Sequence, residues 1–290
     1  MRSHLLLVAA ITSAGIGVMS SSGALQAQDA PAPAAVPAAN HLYDRLQLNL
    51  DLTRIQFGST IRFDAANGST GTEVNTGDLG LAKNNWAPRF GLRWRPGRRH
   101  EIEVGYQFAR HSGDRALDTT IVFGDSTFAA GLRIKSSYQS DQASLTYRFA
   151  FRARERSQIG LALGLGAIFF KIGIDAQASL GSAQAARSVS KSVSVPTASL
   201  GLYGRWRAGS RWYLDADARA LYFAVGRISA DVLEGGVSGR YFVSSRIGFE
   251  GGVGITSVGL KIDPNSLGGG VAGKLRYSLT SLRLGVVAVP

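Results

Sequence analysis

The chain has 290 residues, 45% of them hydrophobic and only 18% charged, with a formal charge of +12. That is enough apolar material for one large domain or two small ones. Cysteine is absent, which excludes disulfide frameworks and thiolate metal centres, and 36 glycines against 8 prolines exclude a proline-rich linker protein.

At the N-terminus, Arg2 and His4 precede an apolar run from Leu5 to Val18 and then small residues. This is the layout of a secretory signal peptide. A membrane-spanning helix is the alternative, but the run is shorter than the roughly 20 residues a bilayer requires. Ser22-Gly23-Ala24 and Leu25-Gln26-Ala27 both end on a small residue, and cleavage is expected after Ala27, so residues 1–27 form the signal peptide. Its loss removes one charged residue, Arg2, and leaves +11. Residues 28–44, with PAPAAVPAA at Pro31–Ala39, read as a Pro/Ala-rich leader outside any core, and residues 45–290 as the folded domain.

From Trp86 the pattern has a period of two. Trp86, Pro88, Phe90, Leu92 and Trp94 alternate with Ala87, Arg89, Gly91, Arg93 and Arg95. After Pro96-Gly97, a turn signal, Ile102, Val104, Tyr106 and Phe108 alternate with Glu101, Glu103, Gly105 and Gln107. Successive side chains on a strand point to opposite faces, so this is a hairpin with one apolar and one charged face. The alternation returns near residues 143–151, 159–166, 199–206, 212–222, 237–243 and 247–255. Short polar turns near 96–100, 152–157, 208–211 and 244–246 alternate with longer Gly/Ser/Asp-rich connections near 64–83, 111–140, 178–192, 225–231 and 261–270. About ten strands result, near 46–62, 84–95, 101–110, 141–151, 158–176, 193–207, 212–224, 231–243, 246–260 and 271–289. Thr119–Phe123 and Leu132–Tyr138 inside the 111–140 connection keep eight or twelve open.

Short turns on one side and long loops on the other predict an antiparallel up-and-down transmembrane β-barrel, all-β, with its short turns facing the periplasm. The aromatics agree. Trp94, Phe151, Trp206, Trp212 and Tyr241 lie near short turns in the apolar phase, with Trp86 and Tyr222 in the same phase at the far end. Trp212 to Tyr222 spans roughly 33 Å of strand, about 25 Å after tilting, close to the expected apolar band. An arginine facing lipid near mid-bilayer costs roughly 2–4 kcal/mol, so Arg89 and Arg93 face inward. A secreted soluble β-sandwich is the structural alternative.

The chain resembles the small outer-membrane β-barrel proteins of Gram-negative bacteria. The stretch from Gly71 through Asp78-Leu79-Gly80-Leu81, then Pro88-Arg89 and Arg98-Arg99-His100, is similar to a family of such barrels without an assigned activity. The resemblance spans roughly residues 45–290 and implies a bacterial outer-membrane location, export by the general secretory route and insertion by the barrel-assembly machinery. Barrels of this class end on an aromatic residue that this machinery reads, whereas here the ending is Val287-Ala288-Val289-Pro290.

In the inward phase stand Arg89, Arg93, Arg95, Arg148, Arg205, Arg219 and Arg240 against Glu101, Glu103, Asp215, Asp217, Glu234 and Glu250. A narrow lumen has no apolar core on this reading, and paired charges with small residues (Gly160, Ala162, Gly164, Gly166) fill it. The expected role is structural or surface interaction, with an ion- or solute-conducting pore as the alternative. A lipid-modifying enzyme is a weaker one. His111-Ser112 supplies the residue types of a hydrolase pair, yet neighbours on a strand point apart, and His100 lies at a short turn. Asp215 and Asp217 sit beside a short turn, on the wrong side for a surface protease. Gly164-Leu165-Gly166 has no following helix to make a dinucleotide loop. No enzyme activity, cofactor or metal is expected. The positive charges are dispersed rather than gathered into a basic patch, so nucleic acid is not an expected partner. Outer-membrane lipids are expected, and lipopolysaccharide phosphates could meet Arg187 and Lys191 in a long loop. The sequence leaves the oligomeric state open.

Overall fold

The computed structural model describes residues 40–65, 69–123, 125–180, 183–225, 228–262 and 273–290. The expected signal peptide and most of the leader lie outside the described residues.

Period-two alternation becomes a closed antiparallel barrel of ten strands. In wall order they are β1 (Leu46–Phe63), β3 (Asn84–Gly97), β4 (His100–Ala116), β7 (Arg133–Arg154), β8 (Ser157–Leu180), β9 (Ala183–Arg207), β10 (Trp212–Val225), β11 (Ile228–Phe242), β12 (Ile247–Ile262) and β13 (Gly273–Ala288). β13 pairs with β1 from Leu48↔Ala288 to Phe63↔Gly273 and closes the wall, so neither strand is left as a free edge. Short turns at 98–99, 155–156, 208–211 and 243–246 share one end. The two-residue strand β2 (Val74–Asn75) and the hairpin of β5 (Ile121–Phe123) and β6 (Ser126–Phe128) lie in the first two long connections, at the other end.

Strand positions match expectation; strand lengths do not. Of the connection expected at 178–192, residues 178–180 and 183–192 are strand, and Arg187 and Lys191 lie on β9 rather than in a loop. β4 and β7 likewise extend into 111–140, pairing from Ala116↔Arg133.

The wall changes chemistry along its height without changing parity, and β13 shows it most simply. Near the short-turn end Leu282, Leu284 and Val286 face outward and are exposed, while Arg283 and Gly285 face inward. Towards the other end Lys274, Arg276, Ser278 and Thr280 face outward, and Tyr277 and Leu279 are buried inward. β8 repeats this: Leu161, Leu163, Leu165 and Phe169 are exposed, whereas Ile168, Phe170, Ile172 and Ile174 are buried in the opposite phase. A water-soluble surface would not carry a continuous belt of exposed Leu48, Leu50, Leu52, Phe90, Leu92, Leu200 and Leu202. Trp94, Trp206 and Trp212 near the short turns, and Trp86 and Tyr222 opposite, are also exposed and edge that belt.

Two expectations about the interior need correction. The interior does have an apolar core. In the half nearer the long connections, Ile55, Ile134, Tyr138, Ile168, Phe170, Val195, Val232, Val258 and Tyr277 from the wall meet Leu79, Leu117, Phe123 and Phe128 from the connections. Above the belt the wall is bathed in water on its outer side, so burial inward is where apolar side chains gain. The second correction concerns residues 40–44, assigned to the leader. They pack across the short-turn end. Leu42 is fully buried with Tyr213, Phe242 and Val287, and the His41 ring stacks on Phe242 at 3.6 Å. The Tyr43 hydroxyl donates to the Arg154 carbonyl at 2.6 Å, and Asn40 donates to the Glu155 carbonyl at 3.0 Å.

Candidate functional site: the interior charge network

The lower interior is built by inward positions of β1, β3, β4, β7, β9, β10, β11, β12 and β13. Glu101 is its hub. Its carboxylate accepts from Arg148 at 2.9 Å and from Arg205 at 2.7 and 3.1 Å, lies 3.3 Å from Arg93, and pairs closely with Arg95. Glu103 accepts from Arg89 at 3.1 Å, Arg93 at 3.0 Å and Arg148 at 2.7 Å. Asp215 bridges Arg205, in close contact, to Arg240 at 2.6 Å. Higher up, Arg219 pairs with Asp217 at 3.3 Å and Glu234 at 3.2 Å and donates to Thr146 Oγ1 at 3.1 Å.

All thirteen residues expected in the lumen are thus in ion pairs once Arg283–Glu250, at 3.2 Å, is included. Two charged members were missed. Asp51 lies 3.3 Å from Arg89, and Arg283 holds Glu250. Both were visible by parity, since Asp51 falls between Leu50 and Leu52, and Arg283 between Leu282 and Leu284. Two amides were missed as well. Gln47 Oε1 accepts from Arg93 at 3.0 Å and Arg240 at 2.9 Å, and Asn49 donates to Glu250 at 3.1 Å.

Burial makes this arrangement energetically demanding. Arg205 and Arg240 are each 1% exposed and Glu101 3%, so each charge must find partners to offset its desolvation. Eight arginines and seven carboxylates do so mutually. Glycines make room for the large guanidinium and carboxylate groups. A Cβ at Gly164 would lie 2.6 Å from Arg219 Nη1, and one at Gly285 2.0 Å from Asp51 Oδ1. Between this network and the apolar core is a polar cavity of about 150 Å³, lined by Thr53, Gln107, Gln142, Ser144 and Arg219 among others. A second, of about 120 Å³, lies among Asn49, Arg93, Arg148 and Asp215.

The hydrolase candidates do not assemble. His111 points inward and its Nδ1 meets the Ala82 carbonyl at 3.1 Å, while Ser112 is exposed on the other face. His100 is exposed and its Nδ1 is bonded to the Tyr147 hydroxyl at 2.7 Å. Asp215 and Asp217 are held by arginines.

No protein-family model matches the chain, and no curated protein matches its sequence. Among solved structures, the outer-membrane protease OmpT from Escherichia coli matches with a TM-score of 0.53, covering 86% of this chain and 97% of that one at 11% identity. The fold is that of a small outer-membrane β-barrel. Ail, the attachment invasion locus protein of Yersinia pestis, solved with the heparin analogue sucrose octasulfate, matches at 0.33 and 11% identity, covering 84% of this chain and 99% of its own. Neisserial surface protein A matches at 0.27 and 13% identity, covering 84% of this chain and 97% of its own. At these identities the barrel shares a fold with OmpT and no residue role transfers from it.

Proposed function

We propose that this barrel is a non-enzymatic outer-membrane protein whose lumen is closed and whose elongated outer half serves surface interaction. The observation that carries the reading is the filling of the interior at three levels: residues 40–44, the charge network, and the apolar core. A hydrated ion crossing this path would have to displace Leu42, break pairs around Glu101 and part the cluster of Phe170 and Tyr277. On this reading residues 1–27 direct export by the secretory route, the assembly machinery inserts the barrel, and the long connections face the cell exterior. Lipopolysaccharide phosphates are the expected counterpart of outward cations such as Arg54, exposed at the level of Trp86, its partner across the β1–β3 ladder.

Planar-bilayer recording of purified protein tests this. No conductance steps above the lipid background are expected in molar salt. Discrete, reproducible steps would overturn the closed lumen. A second reading, a small ion or solute pore, draws on the two polar cavities, which are contiguous with the network through Arg89, Ser144 and Arg219.

A further inference from the structure

β9 is paired on one side along its whole length, from Ser157↔Trp206 to Leu180↔Ala183 on β8. On its other side the ladder with β10 runs only from Tyr213↔Arg207 to Ala220↔Leu200. Beyond Leu200, among the described residues, no strand covers that edge, and residues 183–199 carry it on the order of 50 Å further at about 3.3 Å per residue. An uncovered edge is a row of backbone donors and acceptors ready to take another strand.

Pro196 shows which amides face the open side. It sits opposite Ala167 in an unbroken β8–β9 register, although it has no N–H. Proline is tolerated in a strand where the missing N–H would face away from the neighbour. Amide direction alternates along a strand, so the even-numbered residues Ser188, Ser190, Ser192 and Ser194 direct their N–H groups to the open side. Their side chains lie on the exposed outer face, while Val195 is buried and Val189 and Val193 pack partly against the apolar core.

We propose that the open edge of β9, residues 188–195, is a docking site for an extended polypeptide segment of another protein, added to the wall as an extra strand. The alternation defines what fits: apolar side chains beside Val189, Val193 and Val195, small polar ones beside the serines, and an acidic residue beside the half-buried Lys191. A second copy of this chain is the less fitting occupant. Two barrels inserted the same way up in one membrane run their β9 strands in the same direction, which forbids antiparallel pairing. Lys191, inside the window, and Pro196, next to its end, are residue types that guard an edge against indiscriminate pairing. This proposal rests on the surface-interaction part of the reading above; bilayer conductance would sink the closed lumen without touching it.

The test uses the full chain in lipid nanodiscs and two labelled peptides, Ser-Val-Ser-Glu-Ser-Val-Ser-Val and its block rearrangement Val-Val-Val-Glu-Ser-Ser-Ser-Ser. Anisotropy should show the alternating peptide binding at least tenfold more tightly. Hydrogen exchange without peptide should be fast at residues 190, 192 and 194 and slow at 189, 191 and 193, with the peptide slowing the fast set. Ser192→Pro should weaken binding at least tenfold at an unchanged melting midpoint, because it removes only an outward donor; Val193→Pro should instead lower the midpoint. Equal binding of both peptides, or none, would overturn the proposal. So would slow exchange at all six amides without peptide, since the edge would then be covered by the chain itself.

Discussion

The two halves of this barrel invert each other. Near the short turns, leucines face out and arginines face in; beyond Trp86 and Tyr222, cations and serines face out and isoleucines face in. The parity of each strand is continuous across the change, as β13 shows between Leu279, buried inward, and Leu282, exposed outward. What changes is the solvent on the outer side. Lipid accepts apolar side chains and leaves the interior to charge pairs, whereas water forces apolar side chains inward. One wall is therefore two kinds of protein, a membrane barrel below and a water-exposed β-structure with its own core above.

The largest expected effect is in the lower half. Glu101→Gln leaves Arg95, Arg148 and Arg205 facing a neutral group in a buried site. A loss of about 3–5 kcal/mol is expected in the unfolding free energy from urea titration of detergent-folded protein. Glu73→Gln, in the first long connection and outside every ion pair described here, should change it by less than about 0.5 kcal/mol. Equal effects would mean that water, not arginine, satisfies Glu101.

Phe170→Ala probes the other half. Phe170 is buried against Tyr138 and Tyr277 at ring separations of 5.9 and 5.5 Å. A cost of about 3–5 kcal/mol is expected if the whole barrel unfolds as one unit. If the halves are as distinct as their chemistry, the loss appears first as local loosening: faster proteolysis beyond the belt, with heat-modifiable gel migration retained. A fall in both together would show that the halves unfold as one.

The boundary itself can be tested by two neighbouring outward positions. Leu282→Arg should cost up to about 2–4 kcal/mol, because it faces lipid, whereas Thr280→Arg, one outward step away, should cost less than about 1 kcal/mol. The smallest effect belongs to Asp114, whose carboxylate accepts from Arg133 at 2.7 Å. That hydrogen bond holds Asp114 below the usual carboxylate range. Any stability it adds is present at neutral pH and lost as pH falls through the lowered value. Because the pair is exposed, Asp114→Asn should leave the melting midpoint within about 1 °C.

How much of this was legible follows from the same inversion. Within the belt, apolar residues alternate with arginines, glutamates and glycines, so the strands and every interior charge could be read by parity. Asp51 and Arg283 obey that parity as well, falling between Leu50 and Leu52 and between Leu282 and Leu284. Above the belt the signal changes character. Ser188 to Val195 alternates serine with valine and lysine, without aromatics or leucines, and looks like a polar loop although it is strand. Expecting a lumen without an apolar core extended membrane logic to a stretch of wall that lies in water. The packing of Leu42 and His41 across the barrel end depends on residues far apart in sequence, Tyr213 and Phe242, which no local pattern announces.

The inversion is tested most directly by accessibility along β13. The chain has no cysteine, so single cysteines can be placed at the outward positions Lys274, Arg276, Ser278, Thr280, Leu282, Leu284 and Val286 without a background. In proteoliposomes, a membrane-impermeant maleimide should label the first four and spare the last three. Labelling of all seven to a similar extent would contradict the account, because no lipid would then cover the leucine face.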